Sequence, residues 1–274
     1  MADTEPLAIS KLDADDAPAG LVLSTEAHWN QNEADWRFFL NKGIVFGARD
    51  HEGRLIATAA LLPYSAGNAW ISMVLVTRDF RRRGIATRLI DACLDEASKR
   101  DLTTWLDATP AGAAVYGPLG FTPTLELRRL RLAAAAPGST TPLAACDLDE
   151  FVIRDLRGIG FDRHDLIREL ATRSGSRLIS NGTAMALLRD GRTARHVGPL
   201  FAEHPDDALA LIGGIVASET GPLLIDAVTG RDDFLKGLTN NGWTIERPFQ
   251  RMRLGRATPQ ADGLPFAVAG PEYG

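Results

Sequence analysis

Thirteen residues recur without gaps in the two halves of this chain, GFTPTLELRRLRL at 120–132 and GWTIERPFQRMRL at 242–254. Gly120/Gly242, Thr122/Thr244, Arg129/Arg251, Arg131/Arg253 and Leu132/Leu254 are identical; Phe121/Trp243, Leu127/Phe249 and Leu130/Met252 are alike in kind. Upstream of each block a second match falls in the same order, Leu106, Asp107 and Ala108 against Ile225, Asp226 and Ala227. Two matches in one order constrain the chain to two copies of a single fold. The alternation of Leu and Arg predicts that each copy ends in a strand with one buried face. Residues 133–147 are small, rich in Pro, Gly, Ser and Thr, and without apolar period, so they read as a linker. The expected organisation is a domain at 1–132, a linker at 133–147, a second domain at 148–256 and a tail at 257–274. A length of 274 residues suits two small domains.

The stretch at 70–94 carries the chemistry. An apolar run ends at Val76; a short polar turn follows, then Arg81, Arg82, Arg83, Gly84, Ile85 and Ala86, then a helical pattern. The first turn of a helix leaves N–H groups unpaired and carries partial positive charge. A phosphate-bearing ligand satisfies both. Gly84 admits close approach to the backbone, and the three arginines add charge. Without a ligand, the same stretch reads as an Arg-rich surface turn capping a helix.

These residues resemble the coenzyme A signature of the Gcn5-related N-acetyltransferase (GNAT) superfamily, Arg/Gln-x-x-Gly-x-Gly/Ala, with Arg81, Gly84 and Ala86 at its three fixed positions. The resemblance implies an α+β fold: two tandem GNAT-like domains, each a mixed, mostly antiparallel sheet flanked by helices. It implies acetyl-CoA, or another acyl-CoA, as co-substrate. Cofactor contacts fall by resemblance on Val74, Leu75 and Val76 of the strand and on Arg81, Arg82, Arg83, Gly84, Ile85, Ala86 and Thr87 of the turn and helix start.

Charge narrows the partners. Thirty basic residues against thirty-five acidic ones give −5, so the whole chain attracts neither nucleic acid nor membrane. A local arginine cluster in an acidic molecule suits one small anionic ligand. Cys93 and Cys146 have no metal-type spacing, which argues against a disulfide framework and fits a reducing cytoplasm. Cys93 shares a helix face with Ile85 and Leu89 and reads as core. The histidines form no metal-binding cluster, and no metal is expected. No segment approaches the roughly 18 apolar residues needed to span a bilayer.

The periodicity predicts strands near 7–12, 44–48, 54–62, 70–76 and 102–107, a helix capped by Asn32, and helices at 84–99 and 111–119. In the second half it predicts a helix from Asp162 to Arg173, strands at 184–188, 194–201 and 223–228, and a helix from Pro205 to about 218. The two halves differ at one turn. Where the first has three arginines and a glycine, the second has Glu203, His204, Pro205, Asp206 and Asp207. Acidic residues stabilise that helix start themselves and repel a pyrophosphate. Only the N-terminal domain is expected to bind coenzyme A, the second being a degenerate copy.

By resemblance, the Val74 N–H faces the thioester carbonyl and stabilises the oxyanion, an effect worth about 3 kcal/mol per donor. The segment 113–121 resembles a family pattern that ends Tyr-x-x-x-Gly-Phe, with Tyr116 in place to protonate the departing thiolate. A thiol near pKa ~8.5 and a phenol near ~10 make that transfer uphill by roughly 2 kcal/mol in water, and desolvation narrows the gap. A packed Tyr with a satisfied hydroxyl is the other reading. Asp107 either orients an acceptor amine or closes its turn. No carboxylate on the central strand presents itself as general base; Ser72 and Met73 stand there, and the proton can leave through ordered water. Residues 26–36, with Glu26, Trp29, Asn30 and Asp35, either contact a polar or cationic small-molecule acceptor or form a capped helix with core tryptophans. The tail is too apolar for a solvated end and is expected to dock.

The reading is direct acyl transfer, most simply acetyl, from acyl-CoA to an amine. The rivals are a non-catalytic acyl-CoA sensor or scaffold, and nucleic-acid binding through Arg81, Arg82 and Arg83. A homodimer is compatible with the sequence, which does not identify the acceptor or the acyl length.

Overall fold

The computed structural model describes residues 7–135, 143–256 and 263–274. Residues 136–142 of the expected linker lie outside the described residues, as do 257–262. Ala133 to Ala135 continue a strand, and Ala144–Ala145 pair with one. Two compact units divide at Thr104/Trp105.

The first unit runs β1 (Ile9–Lys11), α1 (Ala17–Glu26), α2 (Glu33–Lys42), β2 (Ile44–Arg49), β3 (Leu55–Tyr64), β4 (Asn68–Val76), α3 (Ile85–Lys99) and the start of β5 (Thr103–Ala108). Strands β1 to β4 form an antiparallel meander. Asn32 caps α2 through a reciprocal box with Asp35, its Oδ1 accepting from the Asp35 N–H at 3.1 Å. Helix α3 buries Ile85, Leu89, Ile90, Cys93 and Ala97, one stripe at helical spacing. Burial pushes the Cys93 thiol up to about 12, so it stays protonated. Helix α1 is absent from the sequence expectations because its apolar residues run around the helix instead of down one face. It packs closely on α2: a Cβ on Gly20 would fall 2.4 Å from the Trp36 ring.

The second unit holds the rest of β5, α4 (Pro110–Tyr116), β6 (Thr122–Ala135), β7 (Ala144–Ala145), α5 (Leu148–Ile159), α6 (His164–Thr172), β8 (Arg177–Ser180), β9 (Ala184–Arg189), β10 (Arg195–Ala202), α7 (Pro205–Ser218), β11 (Gly221–Val228), α8 (Asp232–Asn240) and β12 (Thr244–Leu254). Elements β7 to β12, with α5 to α8, repeat the type order of β1 to β6 with α1 to α4. Helices α5 and α8 are likewise missing from the sequence expectations, although Asp147 caps α5 through the Glu150 N–H at 2.9 Å.

The closing strands are exchanged between the repeats. β6, from the first, pairs with β11 of the second, and β12, from the second, neighbours β5 of the first. β6 and β12 also pair with each other antiparallel, Leu127 opposite Phe249, its own counterpart in the repeat. Glu126 faces Gln250 and Arg128 faces Pro248, so a local two-fold passes through the Leu127/Phe249 pair. The exchange explains why the compact units do not coincide with the sequence repeats: β6 is held on both edges by strands of the second unit.

Two buried ion pairs mark it. Arg129 of β6 donates from Nε and Nη2 to both oxygens of Asp226 at 2.8 Å each. Arg251 of β12 does the same to Asp107 at 2.8 and 2.9 Å. These are matching residues of the two repeats, each arginine meeting the aspartate of the other copy. Bidentate geometry satisfies charges that would be costly to bury alone.

Candidate active site

The cleft is built on the C-terminal half of β4. The β3–β4 register runs Thr58 opposite Leu75, then Ala60 opposite Ser72, so Met73 and Val74 together face the single residue Ala59. This is a β-bulge, and Met73 carries φ 52°, a left-handed conformation unusual for its type. Thr58 Oγ1 donates to the Met73 carbonyl at 2.8 Å, both residues being buried. Val74 is left half-buried at the surface of a cleft of about 400 Å³, lined by Glu26, Ala27, His28, Trp29, Val74, Leu75, Val76, Arg78 and Arg81.

Beyond β4 the chain makes a short 3₁₀ turn at Arg78–Phe80 and reaches α3 through Arg82 at φ 61° and Gly84 at φ 74°. A Cβ on Gly84 would meet nothing within 4 Å, and no side chain caps α3. The helix start therefore presents backbone donors to open space, which fits an anionic group. Arg81 Nε donates to the Val76 carbonyl at 2.9 Å, and Arg83 Nη2 to the Asp79 carbonyl at 2.8 Å. Arg81, Arg82, Arg83, Gly84 and Thr87 are exposed, Ala86 half-buried, and Ile85 anchors the helix in the core.

The loop after α1 forms the facing wall. Glu26 Oε2 accepts from the Thr77 hydroxyl at 2.5 Å, and Oε1 from the Arg78 N–H at 2.7 Å. The Thr77 bond leads in holding its carboxyl below the usual range against some burial, with help from the Arg78 N–H and the Arg81 charge. A carboxylate so engaged is a weak base and serves to tie the loop to the end of β4. His28, at φ 57°, also lines the cleft; it belongs to the segment read as an acceptor site but was not singled out there.

The expected site residues therefore divide. Glu26, Trp29, Val74, Leu75, Val76 and Arg81 come together at one cleft. Asn30 is buried, and Asp35 is fully buried as a capping residue, so for Asp35 the structural alternative is the one the geometry fits. Ser72 is buried, its hydroxyl without a hydrogen-bond partner. The Asp107 side chain is fully buried, with both oxygens on Arg251, and in this arrangement has no free oxygen for an amine. Tyr116 lies in the second unit, half-buried, its ring 5.8 Å from that of Phe121.

The corresponding place in the second repeat is filled from within. β10 and β11 run parallel only from Arg195/Leu223 to Val197/Ile225. Past Gly198 and Pro199 they part, and the chain's last described segment enters the gap, where Ala267 bridges both strands antiparallel. Leu200 N donates to Ala267 O at 3.0 Å and Phe266 N to Leu200 O at 2.8 Å. On the other side Val228 N donates to Phe266 O and Val268 N to Asp226 O, each at 3.0 Å. Buried backbone groups require partners, and this segment supplies them. Phe266, Ala267, Val268, Ala269 and Tyr273 are buried. Arg163 Nη1 holds the Tyr273 carbonyl at 2.9 Å, and Arg189 Nη2 the Ala269 carbonyl at 2.9 Å and Glu272 at 2.8 Å.

A β-bulged central strand walls a cleft closed on its other side by the loop after α1, and an uncapped, glycine-led helix start follows that strand. Residues 9–121 match the model of the acetyltransferase (GNAT) family, and residues 152–267 a second acetyltransferase (GNAT) domain model. The chain belongs to the GNAT family, as two domains in tandem, and the family transfers acyl groups from acetyl-CoA. An uncharacterised N-acetyltransferase, YitH, of Bacillus subtilis is 24% identical over 75% of this chain and 77% of its own length. A putative acetyltransferase from Pyrococcus horikoshii superposes with a TM-score of 0.81 at 18% identity, covering 99% of this chain and 97% of that one. A tandem GNAT protein from the clavulanic acid biosynthesis pathway gives 0.66 at 16% identity, covering 92% and 100%. Among the described residues, no helix is long and apolar enough to cross a membrane and no cluster of His, Cys, Asp and Glu could hold a metal ion.

Proposed function

We propose that the protein transfers an acetyl group from acetyl-CoA directly to the amine of a small molecule, both substrates being bound together. The observation that carries the reading is the bulge at Met73 and Val74, which takes Val74 out of the β3 ladder at the wall of the cleft that Glu26, His28 and Trp29 line. In this reading the pyrophosphate meets the Arg81–Ala86 backbone and arginines, and the Val74 N–H stabilises the oxyanion formed when the amine attacks the thioester. Trp29 offers an aromatic face to a cationic acceptor. With Glu26 engaged, His28 takes the proton the amine must lose, directly or through water. Tyr116, placed by its motif, protonates the thiolate.

The test is a calorimetric titration with acetyl-CoA followed by an amine screen that reads free thiol release. One site per chain and acceptor-dependent thiol support the reading. Binding without turnover for any amine, with Tyr116→Phe indistinguishable from wild type, favours the sensor instead. Absence of binding at millimolar ligand removes both.

A further inference from the structure

Thr58 lies on β3, fully buried, outside the lining of the cleft and outside the phosphate turn. Its hydroxyl donates to the Met73 carbonyl at 2.8 Å. That carbonyl and the Val74 N–H belong to one peptide group. The group is planar and trans, so its oxygen and its N–H point to opposite sides of the strand. With the oxygen held toward β3 by Thr58, the N–H is aimed away from β3. The bulge removes the ladder bonds that would otherwise fix this peptide, and Met73 adopts a left-handed conformation to make it. Some other group has to hold such a peptide in one orientation. A hydrogen bond accepted by the carbonyl also polarises the peptide and strengthens its N–H as a donor.

We infer that Thr58 is a positioning residue for acyl transfer: by bonding the Met73 carbonyl it aims and strengthens the Val74 N–H that receives the thioester oxygen. The inference rests on the acyltransferase reading above. It requires a hydroxyl at position 58 and is indifferent to the methyl.

The experiment compares wild type, Thr58→Ser, Thr58→Val and Thr58→Cys in three measurements: affinity for free coenzyme A, the carbonyl stretching frequency of bound 13C-acetyl-CoA, and kcat. Free coenzyme A has no acyl carbonyl and so reports on the fold of the site alone. The expected result is unchanged coenzyme A affinity throughout. Wild type and Thr58→Ser lower the carbonyl frequency on binding, while Thr58→Val loses most of that shift and about tenfold in kcat, less than deletion of an oxyanion donor. Thr58→Cys, a weak donor of similar shape, falls between and serves should Thr58→Val not fold. A carbonyl shift and kcat equal in wild type and Thr58→Val overturn the inference alone. Loss of coenzyme A affinity in step with kcat also overturns it, by making the role structural. A wild-type protein that binds acetyl-CoA without shifting its carbonyl overturns the Val74 reading and this inference with it.

Discussion

The two repeats meet the same topological moment in opposite ways. In the first, β4 bulges at Met73 and Val74 and runs into an exposed turn of three arginines and a left-handed glycine. In the second, β10 parts from β11 after Val197, and the chain's own residues 266–268 lie in the gap, bonded to both strands. The turn that follows carries Asp206 and Asp207 at the helix start instead of arginines. One copy keeps backbone donors facing a cleft; the other has satisfied them internally and balanced its helix dipole with its own carboxylates. The two copies thus differ by two independent features, one electrostatic and one steric.

That comparison breaks most visibly if the inserted segment is removed. Deleting residues 263–274 strips Phe266, Val268 and Tyr273 from the core of the second unit. The loss should exceed the roughly 3–5 kcal/mol of a single buried Phe→Ala change, read by denaturant unfolding. Unchanged stability would mean the segment adds nothing to the core of the second unit.

The exchanged strands come next. Arg129→Ala leaves Asp226 buried with only His196, and Arg251→Ala leaves Asp107 alone. Each should cost about 3–5 kcal/mol. Equal costs in the two variants support the local two-fold; a large asymmetry would show that one pair dominates.

Third, replacing Arg81, Arg82 and Arg83 together by Ala should weaken acetyl-CoA binding by about 10²–10³-fold, whereas replacing Asp206 and Asp207 should leave it unchanged. Calorimetry reads both, and a second site per chain in wild type would overturn the contrast between the turns. Fourth, if His28 takes the amine proton as proposed, His28→Gln should lower kcat by about 10²-fold at unchanged cofactor affinity.

The smallest effect is a pH dependence of the filled side. Burial, and then the Arg189 charge, hold His196 below its ordinary range, so it is neutral in the folded chain. As pH falls below ~6.5 the unfolded chain binds a proton that folded His196 resists. Stability therefore drops by up to about 1.4 kcal/mol per pH unit over that limb. Asp226 is buried too, but Arg129 and His196 outweigh that and hold its carboxyl far below the usual range. A second loss then begins below about pH 4, where only the unfolded aspartate takes up a proton. Unfolding measured across pH in His196→Asn should lack the upper limb and keep the lower one.

Local signals were legible where they are purely local. Asn32 capping α2, Pro205 opening α7 and the strand blocks all follow from residues within a few positions. Helix α1 was not legible because nothing in its pattern separates a buried from an exposed side. Within the candidate site, the turn and the Val74 strand could be read, but not that Asp35 is spent on a cap, Asp107 on Arg251, and Glu26 on Thr77 and Arg78. Nothing near Thr58 in sequence announces its bond to a carbonyl fifteen residues away.

The sequence by itself determined the duplication, the strands of the first copy and the charge of the two turns, because these depend on residue type and short-range periodicity. Only the tertiary structure decided which copy's strand completes which sheet, which carboxylates are free, and that residues 266–268 occupy the second gap. A strand's backbone can pair with any exposed edge that presents the matching donors and acceptors. The partner is selected by which edge is near and by the side chains buried alongside, neither of which is written at any one place in the chain.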